Sequence, residues 1–211
     1  MGIFFIVRPI VKKLSNPGYT YVSLQLFLDY FGFTIYTQNQ KHMKVETSTT
    51  EATTDLFVKM AISAWETENT RVTKLLDSLS DDQLMAETAP GRNRGIYLIG
   101  HLAAVSDGLF TLFGWGERLY PQLEVPFVKN ADRSAPDTAT PAQVRTYWKE
   151  VYSKLAEAIK NASTNEWFAR HTAVSEEDFA KEPHRNKLNV LISRTNHMSY
   201  HRGQLVYLAK K

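Results

Sequence analysis

With 211 residues, 43% of them hydrophobic and 12% aromatic, the chain is long enough to fold as one domain with a sizeable core. It has no cysteine, which excludes disulfides, thiolate metal sites and a cysteine nucleophile and agrees with a cytoplasmic setting. Residues 1–43 hold four basic residues and one acidic residue, so the remaining 168 residues carry 21 charges of each sign. This balance argues against nucleic acid as a partner, and no apolar run approaches the ~20 residues of a membrane span.

Residues 1–43 differ in composition from the rest of the chain. They are rich in β-branched and aromatic residues, are interrupted by prolines and show no helical period, so short strands or an irregular arm are predicted. The apolar stretch 3–7 is too short for a signal peptide, and no small-residue cleavage site follows it. We interpret residues 1–43 as an N-terminal extension, with Met43 as an alternative start, and residues 44–211 as the functional domain.

Two helices are predicted in the first half of this domain. Apolar residues at alternating spacings of four and three predict a helix over 55–79, with Asn69 as the one polar interruption of its stripe. The polar turn "SDDQL" at 80–84 ends it. A second helix over 96–116 is apolar almost all round, as expected of a helix packed on several sides. Its small residues permit close approach by neighbours: Gly100, Ala103, Ala104 and Gly108.

Two further helices follow a long connection over about 117–141, and connections of this length are often lids or packed covers. Thr140 followed by Pro141 is a good helix start, and the third helix is predicted over 141–161. The fourth covers 187–209. Four helices of about 20 residues, with no credible strand after residue 50, predict an all-α fold, a four-helix bundle with a long connection between helices two and three.

The six histidines divide into two groups by position. Three lie in the N-terminal segment or in polar connections and are predicted to be surface residues: His42, His171 and His184. The other three interrupt the apolar stripes of predicted helices, so their rings are expected to face the core: His101, His197 and His201. A single inward histidine is more often a core residue hydrogen-bonded to a carbonyl or a carboxylate, and that alternative stays open for each.

The three inward histidines together favour a metal site. His197 and His201 are four residues apart, which places their β-carbons about 5–6 Å apart on one helix face, as in the histidine pair of a zinc-protease helix. Three buried imidazoles without partners would be costly, because each carries a donor and an acceptor. A divalent ion would take three acceptor nitrogens at once. Three neutral histidines with an open fourth position are also typical of a catalytic zinc site.

Four segments resemble the DinB (damage-inducible) superfamily of four-helix metalloproteins: "IGHLA" at 99–103, "ERLYPQLEVPF" at 117–127, "VRTYWKEVYSKL" at 144–155 and "NHMSYHRGQLVYL" at 196–208. The resemblance covers about residues 50–211. It implies that His101, His197 and His201 bind a divalent metal, commonly zinc or nickel. It also implies that a low-molecular-weight thiol such as bacillithiol or mycothiol serves as cosubstrate in some members, and that the protein is a homodimer.

Residues near the predicted ligands have supporting interpretations. Arg202 can hold a carboxylate or form an ion pair between helices, and Gln204 can donate to a neighbouring helix end. Asn69 either orients a ligand histidine or is a buried amide satisfied by backbone. Gly203 costs about 1 kcal/mol in a helix interior relative to alanine, so it is interpreted as permitting a close helix crossing. Asp107, six residues after His101, is off that face and is interpreted as a solvated or capping charge.

Two classes of function fit these residues. The first is a divalent-metal-dependent enzyme of thiol S-transferase or hydrolase type that acts on a small molecule, since a metal on neutral imidazoles lowers the pKa of a bound thiol or water. The second is a non-catalytic metal-binding protein of the stress response. No general base can be assigned. A third class, DNA binding, is opposed by the neutral charge of residues 44–211.

Overall fold

The computed structural model describes the backbone of residues 34–209 and the side chains of residues 50–209. The chain divides into two compact units, Met1–Glu51 and Ala52–Lys211. Our interpretation of residues 1–33, like that of His42, lies outside what is described and stays a prediction.

The described residues are predominantly helical. The α-helices are α1 (Thr34–Ser78), α2 (Asp81–Met85), α3 (Gly95–Phe113), α4 (Pro141–Asn161), α5 (Thr164–Trp167), α6 (Glu176–Lys181) and α7 (Lys187–Leu205). A 3-10 turn (Pro121–Leu123) and a π-helical turn (Val125–Lys129) lie in the long connection, and a second 3-10 turn (Val206–Leu208) follows α7. The long helices α1, α3, α4 and α7 confirm the all-α prediction and its four-helix bundle.

The observed boundaries differ from the predicted ones for local reasons. Helix α1 begins at Thr34 instead of residue 55, so residues 34–42 are helical where strands or an irregular arm were predicted; this run contains neither glycine nor proline. Helix α2 replaces the predicted polar turn, because Ser80 and Gln83 form a reciprocal capping box. Helix α3 ends at residue 113 because Gly114 adopts a left-handed conformation with φ of 71°.

The core of the bundle is built around large aromatic side chains. Trp65 on α1 stacks on Tyr152 of α4 with ring centroids 6.0 Å apart, and Trp148 stacks on the same tyrosine at 3.9 Å. The indole Nε1 of Trp148 donates a hydrogen bond to the Thr73 hydroxyl at 2.9 Å. These contacts join α1 to α4 along the predicted apolar stripe, most of which is buried: Val58, Trp65, Val72, Leu76 and Leu79.

Helix α3 packs against α4, α7 and the long connection. Contrary to the expectation that no apolar run approaches the length of a membrane span, it is the one helix among the described residues that is long and apolar enough to cross a membrane. However, 67% of its apolar window is buried inside the protein, as in a packed core helix. Its small residues permit the close approach that was predicted. The Phe127 ring lies directly over Gly100, and the Arg118 guanidinium lies over Gly108. The long connection is therefore packed onto α3.

Candidate metal centre

The three inward-facing histidines meet at one point between α3 and α7. His197 is the middle member of the cluster: its Nε2 lies 3.2 Å from Nε2 of His101 and 2.9 Å from Nε2 of His201. The three nitrogens lie within 4.8 Å of one another, and the rings meet edge to face. A tetrahedral ion with metal–nitrogen bonds of 2.0–2.1 Å separates neighbouring ligand nitrogens by about 3.3 Å. The separations of the His197 nitrogen from the other two are therefore close to those around one small divalent ion.

The opposite ring nitrogens of two of these histidines have hydrogen-bond partners that determine where the proton lies. Nδ1 of His101 donates to the backbone carbonyl oxygen of Phe127 at 2.7 Å, and Nδ1 of His201 donates to Oε1 of Gln204 at 2.7 Å. Both partners are oxygens that accept, so the proton of each neutral ring lies on Nδ1. Each Nε2 is then left with a lone pair directed into the cluster, which is the arrangement that ligation requires. Nδ1 of His197 is buried without a partner.

Burial favours the neutral form of His197 and His201. Desolvation, followed by the charges of His201, His101 and Arg194, lowers the pKa of His197 to about 4. Desolvation is also the main cause that lowers the pKa of His201, although Gln204 opposes it. Protons therefore compete little for these nitrogens at neutral pH, and neutral imidazole is the form that binds metal.

The long connection and α3 hold His101 from several sides. Tyr97, one turn earlier on α3, stacks on the His101 ring at 6.2 Å, and its hydroxyl donates to the carbonyl of Asn130 at 2.8 Å. The Phe127 carbonyl that binds His101 belongs to the π-helical turn, whose aromatic ring is seated on Gly100. The position of this turn therefore determines the orientation of one histidine, and the sequence offered no signal for it.

Two of the three predicted supporting residues lie where they can brace α7. Gln204 hydrogen-bonds His201, so it acts on the site directly and not on a helix end as predicted. Arg202 forms an ion pair between helices with Glu68 of α1, whose side chain is only 4% exposed. Asn69 accepts a hydrogen bond from Thr73 at 3.4 Å, on the side of α1 that faces Trp148, so it does not orient a histidine.

Glu68 was not singled out from the sequence, although a signal was present. It lies three residues after Trp65 and four before Val72, which places a carboxylate on the buried stripe of α1. A charged group at such a position needs a partner.

The structure corrects two other interpretations. The Asp107 carboxylate is fully buried and accepts backbone N–H groups of Leu119 and Tyr120 at 2.8 and 2.9 Å, so it anchors the long connection and is not a solvated charge. Gly203 is exposed, and a Cβ there would meet nothing within 4 Å, so it does not permit a helix crossing. His184 is exposed as predicted, whereas His171 is partly buried.

Comparison with known protein families agrees with this geometry. The family model described as the DinB superfamily matches residues 64–205, a range that begins in α1 and contains all three histidines. A search of curated proteins returned no match.

Proposed function

The chain belongs to the DinB superfamily, and we propose from this membership and its three-histidine cluster that it is a divalent-metal-dependent enzyme of thiol S-transferase or hydrolase type. The observation that carries the proposal is the convergence of three Nε2 atoms, two of which have their lone pairs directed inward by partners on Nδ1. The substrate would be a small molecule, and the metal zinc or nickel. Assembly as a homodimer in the cytoplasm stays a prediction from the sequence.

In this proposal His101, His197 and His201 hold the ion. A divalent ion on three neutral imidazoles keeps its charge and lowers the pKa of a coordinated thiol or water. Other residues of the chain orient the ligands: the Phe127 carbonyl orients the ring of His101, and Gln204 orients that of His201. Because the chain contains no cysteine, a thiol nucleophile has to come from a separate small molecule.

A non-catalytic metal-binding protein is the second candidate, and one observation favours it. Among the described residues, the group of side chains that could hold the ion consists of histidines alone and contains no carboxylate. Asp107, the acidic residue nearest to His101 along α3, is occupied by two backbone N–H groups. A metal that lowers the pKa of a bound thiol would supply a thiolate nucleophile without a general base. Hydrolysis of an unreactive substrate would still need a general base.

Metal content is the first test. The protein should contain about one divalent ion per chain by elemental analysis, and His101→Ala and His201→Ala should each lose it. His184→Ala is the matched control, because its histidine is exposed and is not a member of the cluster. Retention of full metal content by both cluster variants would refute the ligand assignment.

Activity then separates the two candidates. Metal-loaded protein is incubated with low-molecular-weight thiols and a chromogenic aryl halide, and the release of halide is compared with that of His197→Ala. Turnover that disappears in this variant and persists in His184→Ala supports the enzyme. Stoichiometric metal without turnover for any thiol, or for an activated ester in a parallel hydrolysis assay, supports the binding protein.

A further inference from the structure

An unpaired arginine lies one helical turn from the histidine cluster. Arg194 precedes His197 by three residues on α7 and therefore lies on the same face of the helix. Its guanidinium forms no hydrogen bond or ion pair with the part of the chain that the structure describes, and its Nε is buried without a partner. Burial lowers the pKa of this arginine. Arg194 as a whole is partly buried, but a buried polar atom is normally hydrogen-bonded, so its unpartnered Nε requires an explanation.

The protein groups around Arg194 are already occupied. On the core side it lies within electrostatic range of Tyr152, whose hydroxyl is hydrogen-bonded to Ser106 at 2.7 Å. The carboxylate among the residues that line its cleft is that of Glu124, which forms an ion pair with Arg118 at 2.6 Å. Neither group neutralises Arg194.

Arg194 opens onto a cleft of about 300 Å³ between α3, α7 and the long connection. The α3 wall starts one turn beyond His101 and is formed by Ala104, Val105, Gly108, Thr111 and Leu112. Gly108 allows the Arg118 guanidinium to pack closely against α3, because a Cβ at this position would lie 3.2 Å from it. The cleft therefore begins one turn, or about 5.4 Å, from the histidines on both helices.

The charges that line this cleft are those of Arg118, Arg194 and Glu124, a net charge of +1. A single negative charge would balance them. A guanidinium binds a carboxylate through two parallel hydrogen bonds, and a monoanion matches the net charge better than a phosphate dianion does.

We propose that Arg194 is a specificity-determining residue that binds the carboxylate of a small organic acid whose reacting atom lies at the three-histidine site. The inference rests on the proposed function for the position of the reacting atom, but the carboxylate subsite itself does not need a metal. The substrate or cosubstrate is then a carboxylic acid with its thiol or electrophilic group about one helical turn from the carboxylate.

The probes that test this are 3-mercaptopropionate and its uncharged amide, 3-mercaptopropanamide. In metal-free protein at constant ionic strength, the acid should shift the Nε–H resonance of Arg194 saturably, and the amide, chloride and inorganic phosphate should not. The resonance is assigned by its loss in Arg194→Met. In metal-loaded protein, calorimetry should find that the acid binds roughly 10- to 100-fold more tightly than the amide, the factor expected of a charged hydrogen-bonded pair.

Arg194→Met should abolish the preference for the acid and leave the affinity for the amide unchanged, while Arg194→Lys should keep part of the preference. Removal of an unpaired cation should not lower the melting temperature, which separates this role from a structural one. Equal binding of acid and amide by the unsubstituted protein, or a resonance that only phosphate shifts, would overturn the assignment. If the protein shows the saturable shift but binds no metal, the proposed function is refuted and the carboxylate subsite stands.

Discussion

Replacing Gly100 by alanine tests whether the long connection is part of the metal centre. A Cβ at this position would lie 2.7 Å or less from three ring carbons of Phe127. Ordinary carbon–carbon contacts are about 3.5–4.0 Å, so the ring has to move by about 1 Å. Overpacking of this kind costs about 1–3 kcal/mol. The shift also threatens the 2.7 Å hydrogen bond from His101 to the Phe127 carbonyl, which would no longer be a hydrogen bond at about 3.7 Å.

Gly203→Ala is the matched control. It is the same substitution within a helix that contributes to the site, but its Cβ meets nothing within 4 Å. Alanine improves helix propensity in both variants by up to about 1 kcal/mol, so the difference between them isolates the packing cost. Thermal unfolding should place Gly100→Ala about 2–12 °C below Gly203→Ala.

Metal affinity provides the second measurement on this pair. Loss of a hydrogen bond to a ligand histidine typically lowers affinity about 10- to 100-fold, and we expect that loss in Gly100→Ala alone. If the two variants had equal melting temperatures and equal metal affinity, the Phe127 turn would not be supporting His101.

Three further predictions concern buried charge and protonation. Arg202→Met should destabilise the protein by about 3 kcal/mol in urea unfolding, because it leaves the buried Glu68 carboxylate with only the exposed Arg71 at 3.5 Å. The control Arg71→Met should cost less than about 1 kcal/mol. Equal effects of the two substitutions would contradict the importance of the Arg202–Glu68 pair. Asp107→Asn should lower the free energy of unfolding by about 1–3 kcal/mol, because an amide has one oxygen in place of the two that accept the backbone N–H groups. Unchanged stability would contradict the anchoring role. The pKa of His197 is about 4 in the folded protein and has its ordinary value of 6.5 in the unfolded chain. The unfolded state therefore binds more protons between these two pH values. Metal-free protein should accordingly lose stability as the pH falls from about 6.5 to 4. A His197→Gln variant should show a shallower loss over the same range, and an identical pH profile would contradict the assignment.

The histidine cluster was predictable because its elements follow helical periodicity. His197 and His201 share a face through their spacing, and the inward position of His101 follows from the apolar residues around it. The start of α1 was not predictable in this way, because periodicity detects a buried stripe and not the helix itself. The Ser80–Gln83 capping box was visible as a sequence signature and was overlooked.

The contacts that tune the site depend on tertiary register. Arg202 and Glu68 are 134 residues apart, and no local sequence pattern indicates that they form an ion pair. The Phe127 carbonyl reaches His101 only because the connection forms a π-helical turn over Gly100. Gly203 shows the converse error, in which a helical glycine was assigned a packing role that its surroundings do not require.

The two helices that carry the histidines are far apart along the chain, since His101 and His197 are separated by 96 residues. During synthesis the first ligand leaves the ribosome long before the other two, which emerge only with α7. An ion bound to all three is therefore a late cross-link, and its binding free energy is added to that of folding. At a free metal concentration 100 times the dissociation constant this amounts to about 2.7 kcal/mol. The metal supply of the cell would then determine how firmly the last long helix is held to the rest of the bundle.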